Sequence, residues 1–342
     1  MTTRFLTARI PAALLGAALV LAACSSDPEP PKAAPSQSES ESASPTPTPT
    51  PTLPSLLAGR VGKPDGPVLA VKIDNTSKAH PQVGLSKADV VYVEQVEGGV
   101  TRLVAVYSSQ LPNKVGPVRS ARITDIELLR QYGTVGLVYS GSNNKLARKL
   151  RAADQLKLVS FDANRRGYTR ASSRPQPYDV IGDVDALLKR AGKIDKPKKV
   201  GYEFGAAPAG GKKASQVTAR FPSARVGAVW SAKQKRWLLS MDGRKNMAAE
   251  GGQLGASTFV VQFSVLKGSA YRDVNGARTP ETETVGKGKA MIFRDGKVYN
   301  GQWSRAKAAD PTTYTIGGQP AVFAPGTIWV ALLGKNRPVS VS

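Results

Sequence analysis

One histidine and one cysteine are all that the 342 residues contain of either type. A Ser-His-Asp or Cys-His arrangement would have only His80 to use, and no nucleophile elbow accompanies it. Zinc sites built from His and Cys are excluded by the same scarcity. Walker A, the dinucleotide-binding glycine pattern and the EF-hand loop are missing. No apolar run approaches 18 residues, so the sequence offers no membrane-spanning helix. Acidic residues are also sparse, 25 against 48 Lys and Arg, which leaves a net charge of +23. Chemistry in this chain therefore rests on carboxylates and arginines.

The N-terminus reads as an export signal over residues 1–23. Arg4 and Arg9 form a positive start, Ile10 to Ala23 is a short apolar core, and Leu21-Ala22-Ala23-Cys24 ends it. That ending resembles the bacterial lipobox, which makes Cys24 the lipidated first residue of the mature chain. The expected location is the outer face of the cytoplasmic membrane of a bacterium, with the membrane a partner through the lipid. Export argues against nucleic acid as a partner, so the basic body points to lipid headgroups or an anionic envelope polymer, with a protein partner left open.

Residues 24–55 carry the lipidated Cys and a Pro/Ser/Thr-rich tether that cannot bury a core. At ~3.1 Å per residue such a polyproline-type segment reaches roughly 90 Å. Strands and helices then alternate to Gly192, which predicts a mixed α/β domain over 56–192. A linker over 193–215 precedes mostly strand-like runs, so 216–342 is expected to be a smaller β-rich domain. The fold class is α+β. Asp295-Gly296 is the sharpest hairpin signal.

Val71 to Arg122 gathers polar residues at the ends of apolar strands. Glu97-Gly98-Gly99-Val100 predicts a hairpin with a two-residue Gly-Gly loop, pairing Gln95 with Arg102 and turning Glu94 to the opposite face. A helix is expected from about Pro117 to Tyr132, capped by Ser120 and stopped at Gly133, with Arg119 and Arg122 at its start. Arg102, Arg119, Arg122, Asn75 and Ser120 are candidates for gripping an anion. Asp74, Glu94 and Glu97 are the acidic candidates, able to hold a divalent cation or act as acid and base. The same residues can instead pair with one another as a structural network. The Ser140-Gly141-Ser142-Asn143 loop before a helix is a further, weaker anion signal.

The segments KIDN at 72–75, PQVGLSKADVVYVEQVEGGVTR at 81–102, GPVRSAR at 116–122, GKGKAMIFRDGKVYNGQW at 286–303 and FAPGTIWVALL at 323–333 resemble the DUF3048, or YerB-like, family of bacterial lipoproteins. The resemblance covers about 66–335 and implies an N-terminal α/β domain and a C-terminal β-rich one. It supplies no reaction. Where family members tend to carry histidine, this chain has Tyr139 and the pair Tyr178-Asp179, so only the carboxylate and arginine positions transfer as site candidates. The leading expectation is a non-catalytic binding or scaffold lipoprotein without a cofactor, its ligand an anionic envelope component or a partner protein. The alternative is an enzyme acting on a phosphate-linked glycan or lipid carrier, helped by a divalent cation such as Mg or Ca.

Overall fold

Branched apolar residues at 69–74, 90–95 and 101–107 form strands buried on both faces, β1 (Leu69–Asp74), β2 (Val90–Gln95) and β3 (Thr101–Tyr107). The computed structural model describes residues 53–342 other than Lys199 and Val274; Cys24, the export signal and most of the tether lie outside the described residues. β3 runs antiparallel to both β1 and β2. Beyond β1 the sheet continues in parallel through β4 (Val135–Tyr139) and β5 (Leu156–Ser160).

Among the described residues three α-helices belong to this region: α1 (Thr124–Leu129), α2 (Asn144–Ala152) and α3 (Val184–Ala191). Asn143 caps α2 by accepting from the Leu146 amide at 2.9 Å, and Leu146 and Leu150 bury its inner face. Asp183 caps α3 in the same way, and Gly192 at φ 68° ends it. α1 is shorter than expected. Ser120 does not cap it; Asp125 accepts from the Arg122 amide at 2.7 Å instead, so Arg119 to Arg122 remain non-helical. Gly133, at φ 85°, does close the following turn.

The C-terminal region is β-rich, as its sequence indicates. Its principal strands are β6 (Gln216–Arg220), β7 (Arg225–Ser231), β8 (Arg236–Met241), β9 (Thr258–Ser264), β10 (Leu266–Arg272), β11 (Arg278–Thr282), β12 (Gly286–Arg294), β13 (Lys297–Arg305), β14 (Thr313–Ile316), β15 (Ile328–Gly334) and β16 (Val339–Val341). Asp295 and Gly296 adopt φ 50° and 69° in the tight turn between β12 and β13. The two regions share a sheet, because β15 pairs in parallel with β2 on one side and β9 on the other. The continuous order is β14-β13-β12-β9-β15-β2-β3-β1-β4-β5.

Each face of this sheet covers a core. One face packs Val71, Val93, Leu103 and Trp329 against β6–β8 and α3, including Trp237 and Leu187. The other packs Ala70, Tyr92, Val104 and Val330 under α1 and α2. β10 and β11 pair with each other as a separate hairpin.

The β2–β3 turn departs from the expected register by one residue. Val96 donates its amide to Val100, so the loop is Glu97-Gly98-Gly99, with both glycines at positive φ. Glu94 therefore lies opposite Arg102, and Gln95 opposite Thr101. A one-residue slip exchanges faces along a strand, and it brings Glu94 onto the face of Lys72, Asp74 and Arg102. At Gly98 an added Cβ meets nothing within 4 Å, whereas at Gly99 it would stand 2.6 Å from Cβ of Pro222. Gly98→Ala is expected to cost about 1–2 kcal/mol from left-handed backbone alone. Gly99→Ala adds the steric conflict, worth about 1–3 kcal/mol more. Urea denaturation of the two variants checks the order.

Candidate functional site: an arginine-lined pocket

Parallel β1, β4 and β5 present their carboxyl ends to one region, the position where open α/β sheets place ligands. Asp74 ends β1, Ser140 to Asn143 lead from β4 into α2, and Asp162 follows β5. A pocket of about 230 Å³ opens there. Its lining includes Arg102, Arg119, Ser120, Arg122, Glu97 and the Gly141-Ser142-Asn143 loop. The β10–β11 hairpin closes another side, contributing Tyr271, Arg272, Asp273, Asn275 and Thr279.

Two of the arginines are held by carboxylates. Arg119 donates from Nε to Asp74 Oδ2 at 2.8 Å, while Asp74 Oδ1 accepts from the Thr76 amide and hydroxyl. Arg122 donates from Nε and Nη2 to Glu97 Oε2, at 3.0 and 2.6 Å. Thr279 donates its hydroxyl to the other Glu97 oxygen, which ties the second region's hairpin to the first region's turn. Burial pushes the Glu97 carboxyl upward, but Arg122 and Thr279 outweigh it and hold it below its ordinary value.

Arg102 is different. It is only 8% exposed, and its recorded hydrogen bond runs from Nη1 to the Ser120 carbonyl at 3.2 Å. Among the described residues no carboxylate comes within salt-bridge distance of it. Burial, reinforced by the positive charges of Arg122 and Arg119, pulls its guanidinium down to about 10. A buried cation without a counter-ion is costly, and this one lines a pocket.

Beneath it lies a fully enclosed ion network. Lys72, 0% exposed, donates to Glu94 and, at 2.9 Å, to Asp125 Oδ1. Glu94 Oε2 is buried without a partner. Burial, with Asp125 adding to it against the attraction of Lys72, pushes the Glu94 carboxyl up to about 7. Asp125, Asp74 and Glu97 each hold a cation other than Arg102, namely Lys72, Arg119 and Arg122.

The raised Glu94 value has a thermodynamic consequence. The native state holds this proton more tightly than the unfolded chain does, so the associated stability is complete below about pH 4.5. It is lost as pH rises through about 7. Glu94→Gln should abolish this component of the decline between those values, and denaturation curves at stepped pH measure it.

The structure thus brings Arg102, Arg119, Arg122, Ser120 and Glu97 together, with Asp74 behind Arg119. Two candidates belong elsewhere. Asn75 faces an amide network, accepting from Gln82 at 3.0 Å and donating to Thr101 at 2.8 Å. Glu94 is sealed with Lys72, because the register places it beneath the pocket rather than in it. Asp74, Glu94 and Glu97 each turn to a different basic partner. Among the described residues no group of three or more His, Cys, Asp or Glu side chains is placed to hold a metal ion. His80 lies in a separate groove, its Nδ1 3.0 Å from Asn246 Oδ1. Sequence reasoning passed over Asp162 and the whole β10–β11 contribution; Leu266-Lys267-Gly268-Ser269 has no strand-like alternation to reveal it.

Residues 57–197 match the DUF3048 N-terminal domain and 217–330 the DUF3048 C-terminal domain, each described as a protein of unknown function. The chain belongs to the DUF3048 family. It is 28% identical over 290 residues to "Putative lipoprotein YerB" of Bacillus subtilis (strain 168), covering 80% of this chain and 83% of that one. The crystal structure of YerB from Bacillus subtilis shares its fold, with a TM-score of 0.72 at 23% identity, over 84% of this chain and all of that one. The gap between the two family matches spans residues 198–216.

Proposed function

We propose that this DUF3048 member is a membrane-anchored, extracytoplasmic binding lipoprotein that grips the anionic group of an envelope component. The observation that carries the reading is Arg102, at the wall of the pocket, a buried guanidinium that among the described residues has no carboxylate within 4 Å of it. An anion entering the pocket supplies the missing counter-charge. Arg119 and the start of α2 strengthen the attraction, since first-turn amides lack intrahelical acceptors and carry partial positive charge. Lipidation of Cys24 would hold the body against the outer face of the cytoplasmic membrane, with the tether giving it reach.

The test uses the lipidated chain in membranes. Retention of an anionic envelope polymer should fall steeply with added salt and drop at least about tenfold in Arg102→Ala, the loss expected from one charged hydrogen bond. Retention that ignores the Arg102 substitution contradicts the reading. Cys24→Ala should release the chain from the membrane fraction without altering the pocket.

A further inference from the structure

The anion-binding reading leaves open which anion, and the directions of the donors narrow it. Arg102 reaches the pocket from β3, with one end of its guanidinium fixed by the Ser120 carbonyl. Arg119 comes from the segment after Pro117, its Nε held by Asp74 and its guanidinium 5.9 Å from the ring of Tyr178. Both constraints leave the remaining guanidinium nitrogens available. The first turn of α2, entered through Gly141, Ser142 and Asn143, forms another side, and Ser120 lines the same space.

A planar carboxylate has two oxygens and is satisfied by one arginine fork. Two forks and a helix N-terminus arriving from separate elements exceed what it can use. A phosphate group offers more oxygens, spread tetrahedrally, and helix N-termini suit it. The pocket is also larger than the anion alone. At about 230 Å³ it exceeds several water volumes of ~30 Å³ each. The β10–β11 side of its wall carries Tyr271, Arg272, Asp273 and Asn275, while the Asp162 carboxylate packs against Gly141. The Asp273 carboxylate and the Asn275 amide there can accept hydrogen bonds from hydroxyls.

We propose that the pocket binds a phosphate ester whose organic part carries hydroxyl groups, such as a phosphorylated polyol or sugar, with Arg102, Arg119 and the α2 N-terminus on the phosphate and the β10–β11 hairpin facing the hydroxyls. This rests on the anion-binding reading and goes beyond it in naming the ligand's chemistry. The same group can come from a free phosphorylated small molecule or from the repeating unit of an envelope polymer.

The experiment titrates the full-length lipidated chain in detergent with inorganic phosphate, glycerol 3-phosphate, acetate and glycerate at matched ionic strength. Both phosphates should bind, glycerol 3-phosphate at least about tenfold more tightly, the gain expected from one or two hydroxyl hydrogen bonds. The carboxylates should bind at least tenfold more weakly than either. Arg102→Lys keeps the charge but loses the planar fork, and should weaken both phosphates by about tenfold or more. Acetate or glycerate binding as well as the phosphates overturns the phosphate assignment and leaves anion binding standing. Glycerol 3-phosphate no tighter than inorganic phosphate overturns the hydroxyl assignment. No binding by any of the four overturns both readings. A phosphodiester-linked polymer competing with glycerol 3-phosphate for the site identifies the polymer as a source; absence of competition restricts the ligand to the small molecule.

Discussion

Lys72→Met should destabilise the protein by about 3–5 kcal/mol, the cost of stripping a buried ion network of its cation. Lys72 is fully enclosed, and the two carboxylates that it serves are 1% and 0% exposed. Methionine restores the volume but none of the charge, so Asp125 is stranded in the interior and Glu94, without the attraction of Lys72, is driven to take up a proton. A domain of ordinary stability, about 5–15 kcal/mol, would lose a large part of it. Adding Glu94→Gln spares the cost of protonating that carboxyl, and the double variant should be more stable at pH 7 than Lys72→Met alone. Urea denaturation at pH 7 measures both. A single-variant loss below about 1 kcal/mol would mean that the network is not as enclosed as its geometry implies.

Arg102→Ala should do the opposite to stability while removing function. Cutting away a buried guanidinium with one backbone partner relieves desolvation and the repulsion from Arg122 and Arg119, against the lost attraction to Asp74 and Glu97. The stability is therefore expected to stay level or rise, by about 1 kcal/mol or less once the lost packing of its apolar stem is set against the relief. Anion affinity is expected to fall by about tenfold to a hundredfold. Residues kept for binding at a cost to stability behave in this way. Arg122→Ala makes a useful contrast, because it strands Glu97 and loosens the link through Thr279 to β11. That variant should lose stability as well as affinity.

Much of this was legible in the sequence because it is local. Val135–Tyr139 and Val184–Ala191 have the boundaries that apolar pattern, Asp183 and Gly192 dictate. Asp295-Gly296 formed its tight turn. The β2–β3 register was not legible, since a Gly-Gly pair accommodates a two- or a three-residue loop equally well. What selects between them are the partners of Glu97, Arg122 and Thr279, 25 and 182 residues away. The start of α1 failed similarly. Ser120 has the chemistry of a cap, but its carbonyl is taken by Arg102 and the Arg122 amide by Asp125. The joining of the two regions through β15 and β2 is a parallel pairing between distant segments, and neither strand carries a mark of it.

The candidate site was legible by residue type and not by arrangement. Arg102, Arg119, Arg122, Ser120 and Glu97 meet at the pocket. Asn75 and Glu94, which look the same in sequence, are directed elsewhere by Gln82 and by the hairpin register. The far wall comes from β10 and β11, whose charged and glycine-bearing strands resemble a loop.

The central claim is that Arg102 is a binding residue that the fold carries at a cost. Urea denaturation of the wild type and Arg102→Ala, each with and without saturating inorganic phosphate at constant ionic strength, tests it in one set of curves. Phosphate should raise the wild-type midpoint and shift Arg102→Ala much less, while the two proteins without phosphate should unfold at similar denaturant concentrations. An Arg102→Ala protein that is markedly less stable without phosphate, yet still gains the full shift with it, would contradict the account and make Arg102 a structural residue.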